Sequence, residues 1–401
     1  MQEKEIETLV IKNFGPIESV DLKLGKMTIL IGEQATGKST IAKVLAVCRY
    51  FSYIVDFRTD RSISDNSFYR GLLYWNINEF LNVDTVIEYE NSDYSVKITN
   101  QFEKNSTFYI ESEIFLNPKS EKFKKLLSDL ALIKEEPKVK DGYSFPNSWS
   151  PNENFFRLNV GKVLDNPLYI PTERGLQSIF SLGKSSIQNI SDSLFDQFAK
   201  IDKFNGDFQS ETEIKPLDLI YKNENGQGFI KNKRQVEFSK LKNGASGYQS
   251  TIPVVLAVKH YTEFERKSKT FIIEEPELNL FPKAQKKLME FFVENIKNNA
   301  HSFLLPTHSP YILSSIENLM YAYKLGNIEN GIHKDKVNLI VPESYWINPE
   351  DVSVYFLNRG KSKDVLDRKE ALIGKDYIDS VSKILNDEFD QLLNIEVEYE
   401  H

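Results

Sequence analysis

Apolar and polar positions alternate at the start of the chain: Ile6, Leu9 and Ile11, a turn over Asn13–Ile17 containing Gly15-Pro16, then Val20, Leu22 and Leu24. Such patterning broken by a Gly-Pro bend predicts a β-hairpin. Met27–Ile31 is an apolar run of strand length, and Ile41, Ala42, Val44, Leu45 and Val47 recur at helical spacing. A strand, a loop and a helix reaching about Val55 therefore follow the hairpin. Residues 56–80 are aromatic-rich and irregular, with Phe57, Phe68, Tyr69, Tyr74 and Trp75 as packing positions. Three β-like runs, Asp84–Tyr89, Tyr94–Phe102 and Ser106–Phe115, joined by polar turns, predict an antiparallel meander.

Residues 119–135 read as helix and the Pro-containing residues 136–155 as loop. Pro167–Arg174 reads as a short apolar strand ending in a charged pair, Glu173-Arg174, directed toward a site or a partner. Residues 176–204 predict one or two helices with no sustained heptad, and Leu217–Tyr221, Gly228–Ile230 and Val236–Phe238 return to β character. A helix follows Lys242–Ser250, with Pro253 tolerated in its first turn. Phe271–Ile273, Lys283–Ile296 and Ser302–Leu305 then continue as strand, helix and strand, the order of parallel strands with right-handed crossovers. In the tail, Leu319–Tyr323, Val337–Ile340 and Val352–Leu357 read as short strands and the region Tyr377–Leu393 as helical. The fold class is α/β: a mixed or parallel core sheet, a flanking antiparallel β lobe and a small helical insertion, with functional loops at the strand C-termini.

Composition narrows the function classes. A hydrophobic content of 40% and a charged content of 27% are those of a soluble globular protein, and no apolar run approaches the ~20 residues of a membrane helix. The charged, alternating first ten residues do not resemble a signal peptide, so a cytoplasmic protein with no membrane partner is expected. Cys48 is the single cysteine, which excludes an internal disulfide and predicts a packed core thiol. A net charge of −8 argues against whole-surface binding to duplex DNA and leaves nucleic acid only a local patch. Three lysine clusters exist, at Lys119–Lys125, Lys231–Arg234 and Lys283–Lys287, and each reads as a solvated helix face or a charged strand edge.

Between the Met27–Ile31 strand and the following helix lies Gly32-Glu33-Gln34-Ala35-Thr36-Gly37-Lys38-Ser39-Thr40, which satisfies G-x-x-x-x-G-K-[ST] in a strand–loop–helix setting. Backbone N–H groups and the helix N-terminus face the β- and γ-phosphates of a nucleotide in such a loop. Lys38 adds a positive charge on those phosphates and Ser39 a hydroxyl ligand for Mg²⁺. Glu274 and Glu275 follow an apolar strand, where one carboxylate can hold Mg²⁺ and the next accept a proton from attacking water. The plain alternative is a pair of surface glutamates in a turn. His308 follows the next strand and could donate a hydrogen bond to a γ-phosphate oxygen.

These segments, together with Ala245–Gln249 (ASGYQ), Leu278–Pro282 (LNLFP), Thr307–Leu313 (THSPYIL), Ile170–Arg174 (IPTER), the KNFGPI turn and Asp351–Lys361, resemble ABC-type ATPases of the SMC/RecF/OLD group over nearly the whole chain. The resemblance implies a P-loop NTPase head that binds ATP and Mg²⁺ and pairs head-to-tail with a second copy, or in a higher oligomer. Ser246, Gly247 and Gln249 of one copy would then complete the partner's phosphate loop. It also implies Glu274 and Ser39 at the metal, Glu275 as base, His308 as switch and Leu278–Pro282 at the dimer seam. Four positions depart from the group's pattern: Glu274 stands for Asp, Tyr248 for a glycine, Gln34 for Asn and Pro306 for Thr.

The implied organisation is a first ATPase lobe over 1–175, an insertion over 176–240, a second lobe over 241–345 and a C-terminal α/β cap over 346–401 of the same head. The chain lacks a long coiled coil and, after Pro310, the acidic cluster of an OLD-type nuclease, so it resembles compact ATPase subunits of anti-phage systems, Septu-like or retron-associated. That implies a separate effector, a nuclease or toxin. A nucleotide-stabilised scaffold with little turnover and a RecF-like repair ATPase are the other readings.

Overall fold

The computed structural model describes residues 7–50, 67–104, 107–117, 120, 166–176, 192–232, 234–328 and 333–374, with 388 and 391. The hairpin is β1 (Glu7–Phe14) and β2 (Ile17–Leu24), antiparallel, with Asn13 and Gly15 at positive φ in the bend. After β3 (Met27–Gly32), helix α1 spans Lys38–Arg49, starting and ending earlier than the apolar periodicity predicts. Ser67–Tyr74, expected to be irregular, forms helix α2, and Phe68, Leu72 and Trp75 pack into the core. The meander is β4 (Val86–Glu90), β5 (Tyr94–Lys104) and β6 (Thr107–Leu116), and it joins the hairpin through β1 and β4, Thr8 opposite Glu90.

The chain continues through β7 (Leu168–Ile170), α3 (Asp192–Asn205) and a small antiparallel sheet of β8 (Thr212–Ile214), β9 (Leu219–Glu224), β10 (Gln227–Asn232) and β11 (Ser239–Lys240). Val236–Phe238, read as a strand, lies just before β11 and outside it. Helix α4 (Ser246–His260) starts at Ser246, so Pro253 sits in its interior and not in its first turn. The remaining elements are β12 (Thr270–Ile273), α5 (Pro282–Asn299), β13 (Ser302–Thr307), α6 (Pro310–Gly326), α7 (Lys334–Ile340), β14 (Val352–Asn358) and β15 (Lys361–Asp364). A last small hairpin pairs Leu366–Asp367 with Leu372–Ile373.

Two further sequence expectations fail. Leu319–Tyr323 is part of α6, whose buried face, Ile312, Leu313, Ile316, Leu319 and Met320, follows helical spacing. Val337–Ile340 is the end of α7; only Val337 of its apolar residues is buried, while Leu339 and Ile340 are 87% and 81% exposed. The helices expected over 119–135, in the first part of 176–204 and around Tyr377–Leu393, and the loop over 136–155, fall almost entirely outside the described residues.

Eleven strands form one mixed sheet in the order β6-β5-β4-β1-β2-β15-β14-β3-β13-β12-β7. From β14 to β7 the strands are parallel. Parallel strands covered on both faces are apolar throughout, and side chains alternate between the two cores. Ile29, Ile31, Phe271 and Ile273 enter the core built with α4, α5 and α6, whereas Leu30, Ile272 and Leu304 enter the core built with α1 and α2. Cys48 is buried in the second core, and burial pushes its thiol pKa up. The register ends β3, β12 and β13 together: Thr307 lies opposite Ile31, and Ile272 opposite Leu304. Their loops therefore emerge on one edge, where open α/β sheets hold ligands.

Candidate functional site

The loop leaving β3 turns through Ala35 at φ 60° and enters α1 through Gly37 at φ 98°, a conformation that L side chains rarely adopt. No side chain caps α1 and its first turn holds no acid, so its free N–H groups face the loop with no competing negative charge. Glu33, Gln34, Ala35 and Ser39 are exposed, while Gly37, Lys38 and Thr40 are buried. Thr36 Oγ1 donates to Glu33 O at 2.8 Å, and Lys38 Nζ donates to Gly32 O at 2.7 Å and Glu33 O at 2.6 Å. Burial lowers the Lys38 pKa to about 8, against the opposing pull of Glu275 and Glu277. An ammonium already desolvated and surrounded by carbonyls is placed to receive phosphate oxygens.

The acid turn follows β12. Glu274 is 5% exposed and its Oε1 has no hydrogen-bond partner. Tyr169 of β7 lies near enough for the Glu274 charge to add to burial in raising its phenol pKa, but its hydroxyl also lacks a partner in hydrogen-bonding geometry. A buried carboxylate oxygen without a partner is costly, and a cation or its water shell would satisfy it. The buried Glu274 oxygen thus suits Mg²⁺, which is commonly held by one or two carboxylates together with substrate phosphates, whereas Ser39 is an exposed hydroxyl at the start of α1. Among the described residues no group of three or more His, Cys, Asp or Glu side chains could hold a metal ion.

Glu275 adopts φ 43°, unusual for a residue with a Cβ, and donates its N–H to Pro306 O at 2.8 Å. Pro306 lies inside a central strand, where proline is normally excluded. Its carbonyl still serves as the acceptor that ties the acid turn to β13. The Glu275 carboxylate approaches His308 Nε2 at 3.8 Å, and His308 Nδ1 is 3.5 Å from Lys38 Nζ. The structure thus brings Lys38, Glu275 and His308 to one point.

Two further residues belong to this cluster. Glu277 Oε1 accepts from Thr307 Oγ1 and from the His308 N–H, each at 2.8 Å. Gln285 of α5 accepts from Ser309 Oγ at 2.6 Å and donates to Leu280 O at 2.9 Å, tying the Leu278–Pro282 turn to the histidine loop. Arg174, expected with Glu173 to be directed toward a site or a partner, is wholly buried under the acid turn, donating to the Glu274 and Glu275 carbonyls. Burial lowers its pKa to about 10, and Glu277, Glu275 and Glu274 pull the other way, so it stays a cation at neutral pH. Glu277 was visible in the sequence only as an extra charge after the pair, and nothing in the sequence marked Gln285.

The Ala245–Gln249 segment packs against the Leu278–Pro282 turn. Ser246 is exposed at the start of α4, Gly247 packs under Asn279 O, and Gln249 Nε2 donates to Gly244 O at 2.9 Å. Among the described residues no hydrogen bond joins Ser246 or Gln249 to the phosphate loop. Of the lysine clusters, Lys231 is 3.7 Å from Glu211, and Lys286 and Lys287 pair with Glu290 and Asp218. Those lysines are paired surface charges, and the Lys119–Lys125 cluster lies outside the described residues. Among the described residues no helix is long and apolar enough to cross a membrane.

No curated protein sequence matches the chain. Similar solved structures include an SMC head domain from Thermotoga maritima, at 10% identity over 90% of this chain and 98% of that one, with a TM-score of 0.42. Another is an SMC head bound to the C-winged helix domain of ScpA, at 11% identity over 92% of this chain and 100% of that one, with a TM-score of 0.44. The family described as "AAA ATPase domain" matches residues 59–313, more than half of the chain, and the chain belongs to that family.

Proposed function

We propose that this protein binds and hydrolyses ATP with Mg²⁺, working as a head-to-tail pair of identical chains around two nucleotides. The observation that carries the reading is the convergence of Lys38, Glu275 and His308 at the ends of three parallel strands, at 3.5 and 3.8 Å through the imidazole. In this reading the loop Gly32–Thr40 holds the phosphates, Lys38 neutralises them, and Ser39 and Glu274 hold the metal. Bound Mg²⁺ would supply charge stabilisation on the phosphate oxygens. Glu275 takes the proton of the attacking water and His308 donates to the γ-phosphate.

The pairing rests on separate features. Ser246 is exposed at the start of α4, and among the described residues no hydrogen bond joins Ser246 or Gln249 to the phosphate loop of their own chain. Phe281 and Tyr311, at the starts of α5 and α6 beside the acid turn and the histidine loop, are 78% and 52% exposed, apolar surface of the kind that a partner covers. From the family resemblance, the pair is a cytoplasmic switch for a separate effector, a nuclease or toxin of an anti-phage system.

The test is Mg-ATP turnover and binding by the wild type, Lys38→Ala and Glu275→Gln. Lys38→Ala is expected to lose binding. Glu275→Gln is expected to retain ATP in a stable pair and, purified from its host, to carry the effector with it. Normal turnover by Lys38→Ala would refute the site. A wild type that pairs with ATP but shows no turnover, even with its partner bound, would favour the scaffold reading.

A further inference from the structure

Arg174 makes an unusual set of contacts for a wholly buried cation: four hydrogen bonds, all to main-chain carbonyls. Nη1 donates to Pro171 O at 3.0 Å and Glu274 O at 2.6 Å, Nη2 to Glu275 O at 2.5 Å, and Nε to Ser250 O at 3.0 Å. One planar group therefore joins three separate pieces of chain: the end of β7, the acid turn after β12, and the second turn of α4. Glu275, at φ 43°, occupies a conformation that opposes its own Cβ and persists only where its surroundings hold it. It is held from both sides, its N–H by Pro306 O and its carbonyl by Arg174.

We infer that Arg174 is a positioning residue for hydrolysis. It clamps Glu275 in the left-handed conformation that aims its carboxylate at His308, and it locks that turn to the helix whose first residue is Ser246. The acid of one nucleotide site and the exposed helix start that serves the other then move as one body. A lysine cannot substitute, because a single Nζ lacks the planar fork that reaches carbonyls in different directions. The inference rests on the reading of Glu275 as the base, and its test separates the two.

Arg174→Lys and Arg174→Gln are prepared beside the wild type, with melting temperature confirming that each is folded. Nucleotide affinity is expected to stay within about twofold and KM to be unchanged, while kcat falls at least about tenfold in both, the split that marks an interaction made in the transition state. A crystal structure of Arg174→Lys is expected to show Glu275 relaxed to negative φ and its carboxylate withdrawn from His308. A folded Arg174→Lys protein with wild-type kcat overturns the clamp, and so does a structure in which Glu275 keeps its φ and its approach to His308. If the wild type shows no turnover, the proposed function fails, and the crystal structure alone decides the clamp.

Discussion

Glu277 accepts the backbone N–H of His308 at 2.8 Å, and the same oxygen takes the Thr307 hydroxyl. A carboxylate after one strand thereby sets the path of the loop after the next. A hydrogen bond to a charged group contributes about 1.5–3 kcal/mol, and its loss here displaces the imidazole from Glu275 and Lys38. Glu277→Ala is expected to lower kcat by about 10- to 100-fold with ATP affinity little changed, read by steady-state kinetics and equilibrium binding. An equal loss in binding would mean that Glu277 serves the phosphate loop and not the histidine.

Asn279, at φ 59°, places its carbonyl over Gly247, where a Cβ would lie 2.6 Å from that oxygen. Backbone cannot give way as a flexible side chain can, so Gly247→Ala must push the Leu278–Pro282 turn from α4. Overpacking of this kind costs about 1–3 kcal/mol, so a lower melting temperature is expected together with lost turnover. Ser246→Arg is the complementary variant. Exposed and unpacked, Ser246 tolerates a large side chain in the free monomer, so ATP binding and melting temperature should persist while turnover disappears. If wild-type specific activity does not rise with protein concentration, or if Ser246→Arg turns over normally, the shared site is wrong.

How much of this was legible in the sequence depends on how far each signal is local. The phosphate loop, the hairpin before it and the strand before Glu274 depend on neighbours in the chain, and each stands where pattern and turn chemistry put it. Leu319–Tyr323 was misread because a short aromatic and aliphatic run has no period of its own. Taken with Ile312, Leu313 and Ile316, the same residues lie on one helical face. Arg174 was legible as a residue directed toward a site or a partner, but its burial was not. A charged residue after a strand normally seeks water, and only the carbonyls of Ser250, Glu274 and Glu275, far along the chain, make its burial tolerable.

Gln285 gives a prediction that separates the seam from the chemistry. Its side chain bridges Ser309 and Leu280, so loosening it should uncouple the exposed Phe281 turn from the His308 loop. Gln285→Leu is expected to keep ATP binding and to weaken the activation by concentration, since Leu approximates the volume but joins neither loop. A titration of activity against protein concentration in both proteins measures this, and superimposable curves would remove Gln285 from the coupling.

The depressed pKa of Lys38 makes a prediction with a definite sign. Below about pH 8 the ammonium is charged in both folded and unfolded chains, and its desolvation penalty weighs on the folded state in full. Between about 8 and the ordinary lysine value of 10.5 the unfolded chain binds more protons than the folded one, so this group's contribution raises the stability of the nucleotide-free protein as pH rises. Phosphate oxygens favour the charged form and raise the pKa again, so binding ATP above pH 8 must take up a proton. Calorimetry of Mg-ATP binding at pH 9, in two buffers of different ionisation enthalpy, should report that uptake as a difference in apparent binding enthalpy between the buffers. Identical apparent enthalpies for the wild type in both buffers would show that Lys38 does not change its protonation at the phosphates.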